Sequence, residues 1–457
     1  MEILVNTLNS KINTDNTELL DALYKLYSEN APGYQYSPAY KRRQWDGKLH
    51  FISRDGVFRT GLLSRVVKDL EKINCFPKLV TNSSPLDENN NDWGIDGFKY
   101  YYYQKDLIST GLKNKRGIIK SPTGSGKTLI MAGLVKALAG RKMVLLFNAK
   151  QLLTQTYEFL TKTCNFDNIG LCFGEGYIYG DIMLCTVQSI ERILDTHLEE
   201  AKVLMVDECH EFANGKTTLA ALRAFPEAQY RFGFTATPPS DIIPKLNLEG
   251  SLGPVWDSVS TSGLVSEGKL TKPVIQLINR PYNASGADED LPYLEVYDTY
   301  IVNNEGRNAI IKNIADDITR KNKQARILIL TKSLSHGRTL EKLLGDRQVE
   351  FLEGANSLGE RYKSITRFRN HPESSILIGT KILQTGINIE EITHFINARG
   401  MKSEIATLQA LGRALRRHDT KTEVFVYDFL DREKYLKGHS NARKRHYQKE
   451  GHEVTVL

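Results

Sequence analysis

Apolar runs alternate with helical spacing over most of this chain, and the rhythm changes twice. Before about residue 80 the apolar segments are short, and helical patterns recur over 17–28 and 62–72. Asn82-Ser83-Ser84-Pro85, followed by the acidic and amide-rich stretch 87–92, reads as a linker. From Phe98 onward, continuous apolar runs at 117–120, 144–148, 182–187, 203–207 and 231–235 are separated by helical stretches. Strands covered on both faces by crossover helices have this appearance. The rhythm restarts at 274–278 and continues through 327–331, 349–352, 376–379, 394–397 and 424–427. The expected fold class is α/β, with two tandem parallel-sheet domains behind a small α+β amino-terminal domain. The expected bounds are 1–92, 93–262 and 263–457, with the second join near 260–272 and an exposed loop at 283–290.

Composition narrows the class only slightly. A chain of 457 residues with 40% hydrophobic and 25% charged content has material for several cores. No apolar run approaches the roughly 20 residues of a membrane span. The start, Met1 to Val5, lacks the basic-then-apolar order of a signal peptide. A cytoplasmic location is expected, in the host cell if a phage encodes the chain, with no membrane partner. The five cysteines are scattered without a C-x-x-C pair, so neither a zinc site nor a disulfide framework is expected. The net charge of +7 leans toward a polyanionic partner.

The sharpest chemistry lies at Ser121-Pro122-Thr123-Gly124-Ser125-Gly126-Lys127-Thr128. An apolar strand run precedes it and a helical pattern to about Ala139 follows. Strand, glycine-rich turn and helix form the context of a phosphate-binding loop. Backbone N–H groups of the turn and helix start face an anion. Lys127 adds a point charge for β/γ-phosphates, and the Thr128 hydroxyl suits Mg²⁺. The pattern formally begins with glycine, where this chain has Ser121. ATP and Mg²⁺ are therefore the expected cofactors. Upstream, Gln104 can pair with adenine N6 and N7, and Tyr103 can stack on the ring. The tyrosines at 100–102 could equally be core.

Val206-Asp207-Glu208-Cys209-His210 ends a buried strand run, which places Asp207 at the carboxyl edge of the sheet. Asp207 is the second expected Mg²⁺ ligand beside Thr128, and Glu208 can orient or deprotonate water. His210 is expected to relay between the nucleotide and the second domain. Thr235-Ala236-Thr237-Pro238 ends the next strand; a plain Thr-rich turn would look the same. In the second domain, helical spacing puts Gln409 and Arg413 on one face with Arg416 adjacent. Guanidinium groups there can stabilise charge on a transferring phosphate. Thr385-Gly386-Ile387-Asn388-Ile389 offers hydroxyls and amides to nucleotide or backbone, with Gly386 and Asn388 the expected contacts.

Taken together, Gln104, the phosphate loop, 207–210, 235–237, 385–386 and 409–416 occur in the order of a superfamily 2 helicase. The resemblance spans about residues 98–440. It implies two RecA-like domains that sandwich ATP, with nucleic-acid contacts at Asn148, Lys150, Thr186, Gln188 and Ser189, then at Thr331, Lys332 and Thr380. Arg413 and Arg416 match the family's arginine positions, with Arg416 as the finger. Residues 32–34, 45–48 and 60–63 resemble the amino-terminal module of phage UvsW-type branched-DNA helicases. That resemblance implies fork and Holliday-junction remodelling with 3′–5′ polarity. Arg42, Arg43, Trp45 and Lys48 interleave cations and aromatics, as a DNA surface does. Trp45 and Phe51 could instead be the module's own core. The basic stretch 443–446 reads as a solvated helix face in preference to a second DNA contact. An ATP-dependent helicase on branched DNA, as a monomer, is the expectation. The rivals are an RNA helicase, a duplex translocase without strand separation, and a non-enzymatic ATP-gated scaffold.

Overall fold

In the computed structural model, residues 1–81, 92–257, 259–279, 291–345, 348–353, 356–380, 389–418 and 421–457 are described. The expected linker residues 82–91 and the loop 283–290 lie outside them. Contacts divide the chain into two units, Met1–Ser121 with Gly126–Ser258, and Pro122–Ser125 with Val259–Leu457.

The first unit begins with β1 (Glu2–Val5) and β2 (Asn9–Asn13), paired antiparallel. Strands β3 (Ser28–Asn30) and β4 (Lys48–His50) form a separate antiparallel pair. Strands β5 (Val57–Arg59) and β6 (Lys78–Thr81) complete a sheet of order β5-β2-β1-β6. Alternation along β2 turns Ser10 and Ile12 inward and their neighbours outward, the period-2 signature of a half-buried strand. Helices Thr17–Leu26 and Leu63–Glu71 cover the sheet. Ile3, Ile12, Leu23, Phe58, Leu62, Val66 and Leu70 form their core, and Leu246 joins it from helix Ile242–Leu252. Gly61 permits that docking: a Cβ there would lie 2.0 Å from the Glu249 carbonyl oxygen. The Arg65 guanidinium closes the joint on the buried Glu249 carboxylate at 2.7 Å.

The remainder of this unit is a parallel α/β layer. Its strands are β7 (Arg116–Lys120), β8 (Met143–Phe147), β9 (Ile169–Phe173), β10 (Gly176–Ile178), β11 (Ile182–Thr186), β12 (Val203–Val206), β13 (Tyr230–Thr235) and β14 (Val255–Asp257). They run in order β10-β9-β11-β8-β12-β13-β7-β14, parallel except for the β9–β10 hairpin. Strands β8 and β12 are buried along their whole length, as their unbroken apolar runs require.

In the second unit, β15 (Lys272–Asn279), β16 (Arg326–Leu330), β17 (Val349–Leu352), β18 (Ser375–Gly379), β19 (His394–Asn397), β20 (Glu423–Leu430) and β21 (Val454–Val456) form one parallel sheet. Its order is β17-β18-β16-β19-β20-β15-β21. These are two RecA-like parallel sheets with an amino-terminal α+β region, as expected. Strands β9, β10, β14 and β21 were not expected.

The basic stretch at 443–446 requires a correction. Helix Leu436–Lys449 turns Arg443 inward, where it is 1% exposed. Its Nε lies 3.0 Å from both Asp428 oxygens, and Nη1 and Nη2 donate to the Met401 and Phe429 carbonyls. The Tyr447 hydroxyl donates to the same carboxylate at 2.8 Å. Arg443 is thus a core cation matched to a buried carboxylate, and the solvated-face reading fails for it. No helix among the described residues is long and apolar enough to cross a membrane.

Candidate nucleotide site and nucleic-acid contacts

The first candidate site lies at the carboxyl ends of β7, β12 and β13. The Ser121 N–H donates to the Thr235 carbonyl at 2.9 Å, tying the end of β7 to β13. Gly124 and Gly126 both take left-handed backbone, with φ of +84° and +81°. A side chain is unfavourable there, which explains the two glycines. Gly126 immediately precedes helix Lys127–Ala137, whose first N–H groups lack partners within the helix. The Lys127 ammonium donates to the Ser121 carbonyl at 3.2 Å, and Ser125 Oγ donates to the Pro122 carbonyl at 2.6 Å. Thr128 occupies the next position of the helix.

Gln104 is buried against this turn: a Cβ on Gly126 would lie 2.5 Å from its Nε2. Its Oε1 accepts from the Tyr101 N–H at 2.9 Å, capping helix Tyr102–Asn114. Tyr103 is only 3% exposed, with its ring stacked on Tyr101 and edge-on to Tyr102. The rings open to solvent at this place are Tyr101 and Tyr102. Tyr103 therefore sits in the core and not on an open face.

Asp207 directly follows β12, and its N–H donates to the Leu146 carbonyl at 3.0 Å. Its Oδ1 accepts from the Glu208 N–H at 3.0 Å. Burial pushes the Asp207 carboxyl up to about pH 7; the Glu208 charge adds to this and Lys127 opposes it. A divalent cation beside it would relieve both penalties. One carboxylate plus one hydroxyl suits Mg²⁺, which keeps waters and phosphate oxygens in its remaining positions. Glu208 has φ +43°, a left-handed conformation that costs strain and re-aims its side chain. Its Oε2 is buried with no hydrogen-bond partner among the described residues, as an acceptor waiting for a water would be. His210 Nδ1 lies 3.4 Å from that oxygen and 2.9 Å from Thr235 Oγ1. Burial lowers the His210 pKa, so the contact with Glu208 joins a neutral ring to a carboxylate. Thr235 Oγ1 also accepts from the Thr237 N–H at 3.1 Å, so the 235–237 turn braces the acidic segment.

A second cavity of the same unit, about 520 Å³, gathers Lys150, Thr186, Gln188 and Ser189. The resemblance had named all four. Its wall also contains Phe173 and the Gly174-Glu175-Gly176 turn of the β9–β10 hairpin, which sequence reading missed. The Lys150 ammonium lies 4.5 Å from the Phe173 ring centre. Arg192 fastens the hairpin through the Gly174 and Glu175 carbonyls. Asn148 falls elsewhere: its amide donates to Glu211, beside the acidic segment.

In the amino-terminal module, Arg42, Arg43 and Lys48 are exposed. Trp45 is half-buried, and its Nε1 donates to the Lys48 carbonyl at 3.0 Å. Phe51 packs on the module's core and Trp45 does not, so the two aromatics part company. Tyr40, Lys41, Arg43, Gln44, Trp45 and Asp46 line a cavity of about 580 Å³.

In the second unit, helix Glu404–Ala414 carries Gln409 and Arg413, and Arg416 follows it. Arg416 Nε is buried with no hydrogen-bond partner among the described residues. Thr331 and Thr380 are buried after β16 and β18, and Lys332 is exposed beside Thr331. Gly386 and Asn388 lie outside the described residues.

Three family models match the chain in succession. They are DNA helicase UvsW, N-terminal (residues 6–75), Type III restriction enzyme, res subunit (97–240), and Helicase conserved C-terminal domain (306–418). The chain is 24% identical to the ATP-dependent DNA helicase uvsW of Enterobacteria phage T4, over 93% of this chain and 89% of that protein. It is 25% identical to the DNA 3'-5' translocase XPB2 of Sulfurisphaera tokodaii, over 69% and 78% of the two chains. The structure of S. cerevisiae Dbp5 bound to RNA and ADP BeF3 is similar in fold, with a TM-score of 0.57 at 16% identity, over 79% of this chain and 90% of that one.

Proposed function

This chain is a UvsW-like helicase of superfamily 2, an ATP-dependent DNA helicase, and we propose that it unwinds and remodels branched DNA. Forks and Holliday junctions are the proposed substrates, with 3′–5′ movement along one strand. The observation that carries the branched-DNA reading is the amino-terminal match over 6–75, because RecA-like domains alone grip phosphate and sugar. The name of the XPB2 relative supports the polarity.

In this reading the domains are 1–92 for DNA structure, 93–262 for ATP and 263–457 for the second motor half. A monomer in the host cytoplasm is the proposed working form. The loop at 122–126 and Lys127 hold the phosphates, with Gln104 toward the adenine. Thr128 and Asp207 would hold Mg²⁺, which when bound neutralises charge on the β/γ-phosphates. Glu208 orients the attacking water and accepts its proton at Oε2. His210, held by Thr235, keeps Glu208 in place. Arg413 and Arg416 supply positive charge to the transferring phosphate in the catalytic conformation, and the neutral Gln409 amide offers it a hydrogen bond. Lys150, Thr186, Gln188 and Ser189 grip one strand through the cavity they share.

Lys127→Ala is expected to abolish DNA-stimulated ATP hydrolysis in a folded chain that still binds DNA. Unchanged turnover would refute the site. ATPase stimulation and unwinding measured on a fork, a four-way junction, a plain duplex and an RNA hybrid test the substrate. The branched substrates should stimulate most. Equal stimulation by the RNA hybrid, or triplex displacement without fork unwinding, would overturn the assignment.

A further inference from the structure

Lys332 is the second residue after β16, and its ammonium is not simply in solvent. It lies 4.3 Å from the Tyr297 ring centre and 5.1 Å from that of Tyr293. Tyr297 is buried, and its hydroxyl donates to the Arg399 carbonyl at 2.7 Å, so this end of the cluster is fixed. Tyr293 meets Tyr435 edge-on at 5.9 Å and His439 at 5.4 Å. Tyr435 is 42% exposed, and Lys434 places a second ammonium 5.0 Å from its ring.

The backbone at Tyr435 supplies an independent observation. Its φ is +63° and ψ −45°, a conformation that a bulky residue adopts only under strain. Glycine would sit there more easily. Filling the core does not require a large, half-exposed ring at such a position. An aromatic face flanked by two ammonium groups matches unpaired nucleic acid, whose bases stack and whose phosphates need cations. A duplex hides its base faces, so an intact duplex does not fit.

We propose that Tyr435 and Tyr293, flanked by Lys332 and Lys434, form a stacking platform for a base of single-stranded DNA on the second RecA-like domain. The proposal rests on the DNA-helicase reading and adds to it a site that recognises bases. Tyr435 is a binding residue in this account, and Lys332 joins the platform to the Thr331 edge of the sheet.

The test uses the full chain and an oligonucleotide carrying 2-aminopurine. Tyr435→Ala should weaken single-strand affinity about tenfold and remove the 2-aminopurine quench. Tyr435→Trp should retain both. Tyr435→Gly should bind as weakly as the alanine variant yet melt close to the parent, because glycine relieves the strain. Wild-type affinity and quench in both the alanine and glycine variants would overturn the platform while leaving DNA-stimulated ATPase of the parent intact. A parent that binds no single strand would overturn the platform and the helicase reading together.

Discussion

At the scale of single residues, the acidic segment stores its chemistry as instability. Asp207 holds its proton up to about pH 7 when folded, against an ordinary carboxylate value of 3.8. In the metal-free protein the folded state therefore binds more protons than the unfolded chain between those values. Stability falls as pH rises through that window, and the full cost remains above it. Asp207→Asn removes the ionisation. It should abolish ATP turnover and raise the melting temperature of the nucleotide-free protein at pH 8 by several degrees, with little gain at pH 4. Melting curves without magnesium, at both pH values, check it; a lower melting temperature at pH 8 would contradict the account. Lys127, Asp207 and Glu208 stood out as candidates in the sequence because phosphate chemistry ties residue types to fixed short spacings, and the structure places the proposed trio at the carboxyl ends of β7 and β12. Tyr103 could not be placed that way. Four successive tyrosines, Tyr100 to Tyr103, all suit stacking, and only the packed helix decides which rings turn inward.

At the scale of elements, long buried strands were legible and short edge strands were not. Strands β8 and β12 announce themselves as unbroken apolar runs. Strand β10 is fully exposed, and β14 and β21 have three residues each, too few for a periodicity. Strand β10 went unseen for that reason, and with it the hairpin turn in the wall of the Lys150 cavity. Helix Leu436–Lys449 misled differently. Its basic run resembles a solvated face, but the carboxylate that answers Arg443 lies on β20. Pairing across elements leaves no local trace. Truncating Arg443 would strand Asp428 as an unpaired buried charge, so Arg443→Ala should cost on the order of 3–5 kcal/mol of stability. Denaturant unfolding measures it. A DNA-contact role predicts the opposite pattern, unchanged stability with a shallower salt dependence of binding.

At the scale of the whole molecule, the amino-terminal module cannot be treated as a detachable appendage. It shares a core with helix Ile242–Leu252 through Leu246, and Gly61 lets the two backbones touch. Deleting the module would uncover apolar surface on the parallel α/β layer, so a truncated protein that lost fork activity would say little about recognition. Gly61→Ala should likewise destabilise by more than about 2 kcal/mol, because backbone atoms cannot yield as a flexible side chain does. The module's DNA role needs charge changes that leave that joint alone. Arg42, Arg43 and Lys48 are exposed and belong to none of its contacts. Reversing all three to glutamate should therefore leave the melting temperature near the parent's. If each cation meets a phosphate, the slope of log affinity against log salt on a fork should fall by up to about three. Preference for a fork over a plain single strand should fall with it, because single-strand grip is assigned to the RecA-like domains. A triple variant that keeps its fork preference would move structure recognition out of the module and into the motor itself.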